Sequence, residues 1–327
     1  MLVVENLRTY FNADSGAVKA VDDVCLELRK EEIVGLVGES GCGKSTVALS
    51  IIRLVPDPPG KIMSGRVMLK GENLLEMSEA EFRNRIRGKE ISMIFQDPMT
   101  YLNPTMRVRD QIAETILLHQ GGSKEDARRK VIDLLRRVEV SSPERTAKAY
   151  PHELSGGLRQ RVLIAMAISC NPALLIADEP TTALDVTVQA KVLEVMKNLV
   201  KDLKTSLLFI THDLGIVADI CDRVYVMYAG RIVEYGNTIE IFEDSRHPYT
   251  QGLLKSTLSI DEFKEKLVTL DGNVPDLTSL PVGCRFHPRC SCAMAICKAD
   301  ECDFVEVGED HMVSCWLCRK GDFPSQL

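Results

Sequence analysis

The run Gly38-Glu39-Ser40-Gly41-Cys42-Gly43-Lys44-Ser45-Thr46 fits G-x-x-x-x-G-K-S/T, with the apolar stretch Ile33 to Val37 before it and a helix-like segment, Val47 to Leu54, after it. Three glycines let the backbone wrap a polyphosphate, so that consecutive N–H groups and the following helix N-terminus face anionic oxygens. In such a cradle Lys44 is expected to reach the β- and γ-phosphates of ATP and Ser45 to ligate Mg2+. A Gly-rich turn that merely joins strand to helix is the alternative, and the complete motif in its complete context selects nucleotide binding. Cys42 fills a variable position whose backbone N–H is expected to face phosphate, so alkylating its thiol should block ATP binding.

Other chemistry-bearing residues stand at the ends of apolar strands, where α/β sheets place their ligands. Ile91 to Phe95 stops at Gln96, which either touches Mg2+ or the attacking water or is a plain loop residue. Ala173 to Ala177 stops at Asp178-Glu179. There Asp178 is expected to hold the Mg2+ water shell and Glu179 to orient or deprotonate the attacking water. Ser206 to Ile210 leads to Thr211-His212-Asp213, and His212 at a strand tip can donate a hydrogen bond to a γ-phosphate or the attacking water, or be structural. Ser155-Gly156-Gly157 opens a helix from Leu158 to Ile168, a second anion-binding N-terminus in one chain. It is either a Ser N-cap with flexible glycines or a cradle for a partner's nucleotide. Upstream, Tyr10-Phe11 offers an aromatic that stacks on a nucleobase or belongs to the core.

The elements that must position these groups are those of an α/β fold. Val24-Cys25-Leu26-Glu27-Leu28 alternates and Asp14-Ser15-Gly16 is a turn, so Leu2 to Leu28 reads as antiparallel strands. Gly65 to Gly71 is a short strand, Val108 to about Val140 turns helical, and a helix runs from Val186 to Leu203 after Asp185. Val224 to Met227 and Arg231 to Glu234 read as a hairpin closing the core. A chain of 327 residues with 45% apolar content suits one large core and a smaller appendage. A net charge of -7 argues against general nucleic-acid binding, which needs a basic face. No signal-peptide pattern opens the chain, and Val162 to Ala177 is broken by Asn171 and Pro172, so membrane association is expected through partners. Of eleven cysteines, Cys284, Cys290, Cys292, Cys297, Cys302, Cys315 and Cys318 crowd the last segment, which reads as metal-binding sooner than as disulfides.

Taken in order, these stretches resemble the ATP-binding subunit of an ABC transporter, from about residue 2 to 245. The resemblance implies a P-loop NTPase core over 1–97 and 171–245, with an antiparallel β flank. It implies a helical subdomain over 98–170 and a C-terminal extension with the cysteine cluster over 246–327. By the same resemblance Gln96 is the Q-loop, Ser155-Gly156-Gly157 the signature, Glu179 the catalytic base, Asp185 the D-loop and His212 the switch histidine. Phe11 becomes the adenine-stacking aromatic, with Tyr10 the fallback. Leu158 stands where the signature usually has Gln.

His247-Pro248-Tyr249-Thr250 and Gly283 to Cys290 look like the dipeptide and oligopeptide importer branch, whose relatives include nickel importers. That branch implies two transmembrane permease subunits and a second related ATPase or a second copy of this chain. It also implies an extracytoplasmic peptide-binding protein acting indirectly, and a peripheral location on the cytoplasmic face of the membrane. Its recurrent cysteines fall on Cys284, Cys290, Cys297 and Cys315, implying a 4Fe-4S cluster, with Zn2+ as the alternative. Such a staple would suit a short, poorly hydrophobic tail.

Overall fold

The computed structural model describes residues 1–182, 184–258, 270 and 272–320. Two compact units emerge: Met1–Glu27 with Val34–Leu75 and Ile210–Leu327, and Leu28–Ile33 with Glu76–Phe209. Twelve strands are present among the described residues. They are β1 (Leu2–Ala13), β2 (Gly16–Leu28), β3 (Ile33–Val37), β4 (Gly60–Leu69), β5 (Glu72–Asn73), β6 (Ile91–Ile94), β7 (Leu174–Asp178), β8 (Ser206–Thr211), β9 (Arg223–Tyr228), β10 (Arg231–Asn237), β11 (Val305–Gly308) and β12 (His311–Val313).

The first unit holds an antiparallel sheet in the order β2-β1-β4-β5. In β2, Val24 and Leu26 are buried while Cys25 and Glu27 face out, the period-two pattern of a half-buried strand. The same unit holds strands in the order β11-β12-β10-β9-β3, with β3 parallel to β9 and Val34 opposite Arg223. β9 and β10 do form a hairpin, but it does not close the sheet, because β12 pairs antiparallel with β10 and β11 with β12. An uncovered β10 would present a row of unpaired backbone groups, and the C-terminal strands cover it.

The C-terminal segment, expected to be short and poorly hydrophobic, nonetheless buries a large aromatic side chain. Phe286 is 2% exposed and packs edge-on against Tyr228, with Tyr249 and His247 beside it. Burial of such a side chain contributes about 1.5–3 kcal/mol. Glu234 at the centre of β10 is fully buried, accepting from the His247 backbone N–H at 3.1 Å and lying 2.9 Å from His311 Nε2.

Burial pushes the imidazole of His247 down to about 4 from 6.5, with the Glu234 carboxylate opposing the shift. A histidine whose folded pKa is depressed stabilises the fold fully above its unfolded pKa, and that contribution drains away as pH falls from about 6.5 toward about 4. Unfolding free energy should drop by about 2 kcal/mol between pH 7 and pH 5 from this residue alone. His247→Asn keeps an acceptor for the Tyr249 N–H, which His247 Nδ1 now receives at 3.1 Å. Denaturant unfolding at the two pH values checks this: the slope should flatten in His247→Asn, and an unchanged slope would contradict it.

The second unit carries strands in the order β8-β7-β6, with β6 parallel to β7 and Ile94 opposite Ala177. β7 is buried at every position, as a strand covered on both faces must be. Helices Val108–Gln120, Lys124–Arg137, Pro143–Lys148 and Gly156–Ala167 follow β6 in this unit. Lys124–Arg137 buries Ala127, Val131, Leu134 and Leu135, one stripe at helical spacing, and Ser123 Oγ caps it by accepting from the Asp126 N–H at 3.1 Å. Gln111 pins the stretch after β6, donating to the Asn103 and Met106 carbonyls at 3.0 and 2.9 Å. No helix among the described residues is long and apolar enough to cross a membrane.

Candidate functional site

The first unit presents the glycine-rich loop between β3 and the helix Lys44–Ile51. A Cβ on Gly43, at φ +111, would lie 2.0 Å from the Ala20 carbonyl oxygen, and one on Gly38, at φ +155, would lie 2.2 Å from that of Met227. Glycine is required at both places by backbone conformation and by space. Lys44 is 5% exposed, and its ammonium donates to the Gly38 and Glu39 carbonyls at 2.7 and 2.9 Å. Ser40, Gly41 and Ser45 are exposed, and Thr46 is half-buried.

Cys42 departs from expectation. It is fully buried, burial pushes its thiol pKa up, and its backbone N–H donates to the Glu39 carbonyl at 3.3 Å instead of facing outward. A thiol that is both inaccessible and protonated is inert to alkylating reagents, so modification cannot report on the loop in the folded chain.

Phe11 is half-buried opposite Gly60, where a Cβ would lie 2.6 Å from Phe11 Cε1, so the ring lies over the glycine. Tyr10 is committed elsewhere: its hydroxyl donates to Asp22 at 2.6 Å, and burial together with that bond pushes it up to about 12. Asp22 is in turn held by Arg285, which also donates to the Ala229 carbonyl at 2.6 Å. His212 is exposed after β8, and Asp213 caps the helix Leu214–Ile220 through Gly215 and Ile216 N–H groups at 2.9 and 3.3 Å.

The second unit brings Gln96 and Glu179 together. β6 and β7 are parallel neighbours, so the residues following them emerge at the same end of the pair. Gln96 Nε2 donates to Glu179 Oε2 at 2.9 Å, and Thr182 Oγ1 donates to the same oxygen at 3.0 Å. Glu179 adopts φ +44, a left-handed conformation uncommon outside glycine, and backbone strain of this kind concentrates at working sites. Asp178, the last residue of β7, is 5% exposed. Thr182 escaped the sequence reading because the pair Thr181-Thr182 after Asp178-Glu179-Pro180 carries no pattern that singles out one hydroxyl.

Ser155 is exposed and caps the helix Gly156–Ala167, its Oγ accepting from the Leu158 N–H at 3.4 Å. Gly157 has a packing role as well, since a Cβ there would meet Val188 Cγ1 at 2.4 Å, whereas Gly156 has only ordinary contact with Leu184. Asp185 caps the helix Val186–Leu203, accepting from the Val188 N–H at 2.9 Å. The carboxylate, amide and hydroxyl oxygens of Asp178, Gln96 and Ser45 are hard donors of the kind Mg2+ takes.

In the first unit Cys284, Cys290, Cys297 and Cys315 line one cavity, together with Cys292 and Cys302. Burial pushes the Cys284 thiol up to about 12 and Cys290 up to about 11. Thiolate ligation there would need a cation to displace the protons. The donors have the softness that iron-sulfur groups and zinc demand. Even so, no three His, Cys, Asp or Glu residues among the described residues are gathered at ligating spacing.

Two side chains missed by the sequence reading reach the glycine-rich loop. The Glu39 N–H donates to the Tyr249 hydroxyl at 2.9 Å, and Arg289 Nη1 and Nη2 grip both Glu39 carboxylate oxygens at 2.7 and 3.0 Å.

Residues 21–182 match the ABC transporter family, and residues 233–297 match the oligopeptide/dipeptide transporter C-terminal region. The chain is 50% identical to the oligopeptide transport ATP-binding protein OppD of Bacillus subtilis (strain 168), over 97% of this chain and 88% of that protein. It is 47% identical to the dipeptide transport ATP-binding protein DppD of the same organism, over 97% and 94% of the two chains. Among solved structures, a dimeric post-hydrolysis state of the ATP-binding cassette MJ0796 bound to ADP and Pi aligns at TM-score 0.65 and 27% identity, covering 73% of this chain and 99% of that one.

Proposed function

We propose a function from one premise: this chain belongs to the family of ABC transporter ATP-binding subunits. It is an ATPase of that family, and its task is to power the import of oligopeptides or dipeptides through a membrane transporter. The observation that carries this reading is the near-complete alignment with OppD and DppD, together with the match of residues 233–297 to the oligopeptide/dipeptide transporter C-terminal region. A nickel or other small-solute importer is the second reading within the same branch.

In the proposed mechanism the loop from Gly38 to Thr46 holds the phosphates of ATP and Lys44 meets the β- and γ-oxygens, with Phe11 against the adenine. Mg2+, when bound by Ser45, Asp178 and Gln96, supplies neutralisation of the charge that spreads over the transferred phosphoryl group. Glu179 positions the attacking water and accepts its proton. Its Oε2 is oriented by Gln96 and Thr182, so the base is held before the reaction begins. His212 donates to the γ-phosphate. Ser155, Gly156 and Gly157 of a partner ATPase complete the nucleotide site, and Asp185 lines the same junction. Binding thus closes a dimer that hydrolysis reopens. The partner is a second related ATPase or a second copy, and the pair docks on two permease subunits at the cytoplasmic face, fed by an extracytoplasmic peptide-binding protein.

Cys284, Cys290, Cys297 and Cys315 are the residues that would hold a 4Fe-4S cluster, or Zn2+ in its place, as a structural group. What supports this is their softness and their common cavity. Anaerobically purified protein should contain iron and acid-labile sulfide in equal amounts; folded protein with neither would exclude the cluster.

The whole reading is tested by anaerobic purification of the tagged chain from its native membranes in mild detergent. Two polytopic subunits with a second ATPase, and peptide uptake by that assembly, are the expected result. Recovery only with ribosomes, nucleic acid or redox proteins would overturn it.

A further inference from the structure

Glu39, the first variable position of the phosphate loop, is fixed at every polar group. Its N–H donates to Tyr249, its carbonyl accepts from Lys44, and both carboxylate oxygens are taken by Arg289. The last contact is a bidentate fork, the geometry in which an arginine defines a carboxylate's orientation as well as its charge. Arg289 is itself immobilised, with a side chain 6% exposed. Its guanidinium lies over the rings of Tyr228 and Phe286 at 5.8 and 6.0 Å and donates to the Tyr228 hydroxyl at 3.4 Å. The turn that carries it, His287–Arg289, starts from a bond between the His287 N–H and the Cys284 carbonyl at 3.0 Å and runs directly into Cys290. Arg289 is therefore held between two cysteines of the C-terminal cavity while its far end reaches the loop. A carboxylate beside a polyphosphate repels it, and the fork both neutralises Glu39 and holds the loop backbone in register.

We propose that Arg289 is a positioning residue for the phosphate loop, through which the cysteine-bearing C-terminal segment sets the affinity of the chain for ATP. The inference rests on nucleotide binding by the loop and goes beyond it, because it assigns to the C-terminal region a direct part in that binding.

The test uses the full chain and MgATP titrated at equilibrium, with thermal unfolding as the control for folding. Arg289→Ala should raise the Kd for ATP about tenfold or more, the size expected when one partner of a part-buried charge pair is removed. Adding Glu39→Gln to Arg289→Ala should recover at least about a third of that loss on the logarithmic scale, because the uncompensated charge is gone. A purely structural contact would lower the unfolding midpoint of Arg289→Ala and leave Kd within twofold, and that result overturns the proposal. So does an equal loss in the presence and absence of Glu39→Gln. Should Arg289→Ala fail to fold, Arg289→Lys keeps the stem and the charge but not the fork. It should still raise Kd at least about threefold, and an unchanged Kd in it would be equally decisive against. A wild-type chain that binds no MgATP defeats the nucleotide reading itself, whereas wild-type binding with indifferent Arg289 variants defeats this inference alone.

Discussion

Glu179→Gln should hydrolyse ATP about 100-fold more slowly or worse, while binding MgATP within a few-fold of the unaltered chain. A positioned general base contributes roughly 10²–10⁴ to a rate, and glutamine cannot take the proton from water. The amide preserves the shape of the side chain and can still accept from Gln96 and Thr182, which now donate to Oε2 at 2.9 and 3.0 Å. Loss of turnover would therefore report chemistry and not collapse of the strand ends. Because hydrolysis reopens the ATP-closed dimer in the proposed cycle, the variant should also accumulate as a nucleotide-bound dimer, visible by light scattering with MgATP. Near-normal phosphate release would reject Glu179 as the base.

Lys44→Ala should abolish useful ATP affinity. Two charge-assisted hydrogen bonds to phosphate oxygens are worth about 1.5–3 kcal/mol each, which converts to about 10²–10⁴-fold in Kd. The present partners of the ammonium, the carbonyls of Gly38 and Glu39, belong to the loop itself, so its removal also loosens the cradle. An equilibrium titration with MgATP, alongside circular dichroism to establish folding, checks the effect. A folded Lys44→Ala chain whose Kd lies within threefold of the original would remove Lys44 from the site.

Several features are legible in the sequence because they are local. A glycine at φ +111 whose absent Cβ leaves room for the Ala20 carbonyl is visible as a fixed position of the motif G-x-x-x-x-G-K-S/T itself. The buried run Leu174–Asp178 announces a strand covered on both faces and delivers Asp178 and Glu179 to its end. Asp185 and Ser155 stand at helix starts, where their types predict the caps they form. The burial of Cys42 is not legible there, because a variable position in a motif says nothing about which way its side chain turns. Only the packing of the loop on its own unit buries it.

The amino-acid sequence by itself thus determined the phosphate loop and the strand-end carboxylates, since each depends on residues within a few positions of one another, and the family, since such local motifs follow in order along the chain. Tertiary structure alone decided that Gln96 meets Glu179, through the adjacency of β6 and β7, and that β12 continues the sheet past the hairpin. It alone brought Tyr249 and Arg289 to Glu39 across 210 and 250 residues of chain. Hydrogen bonds at such separations leave no periodicity or spacing to read. They exist because the buried aromatic cluster of Tyr228, Tyr249 and Phe286 folds the C-terminal segment back onto the unit that carries the loop.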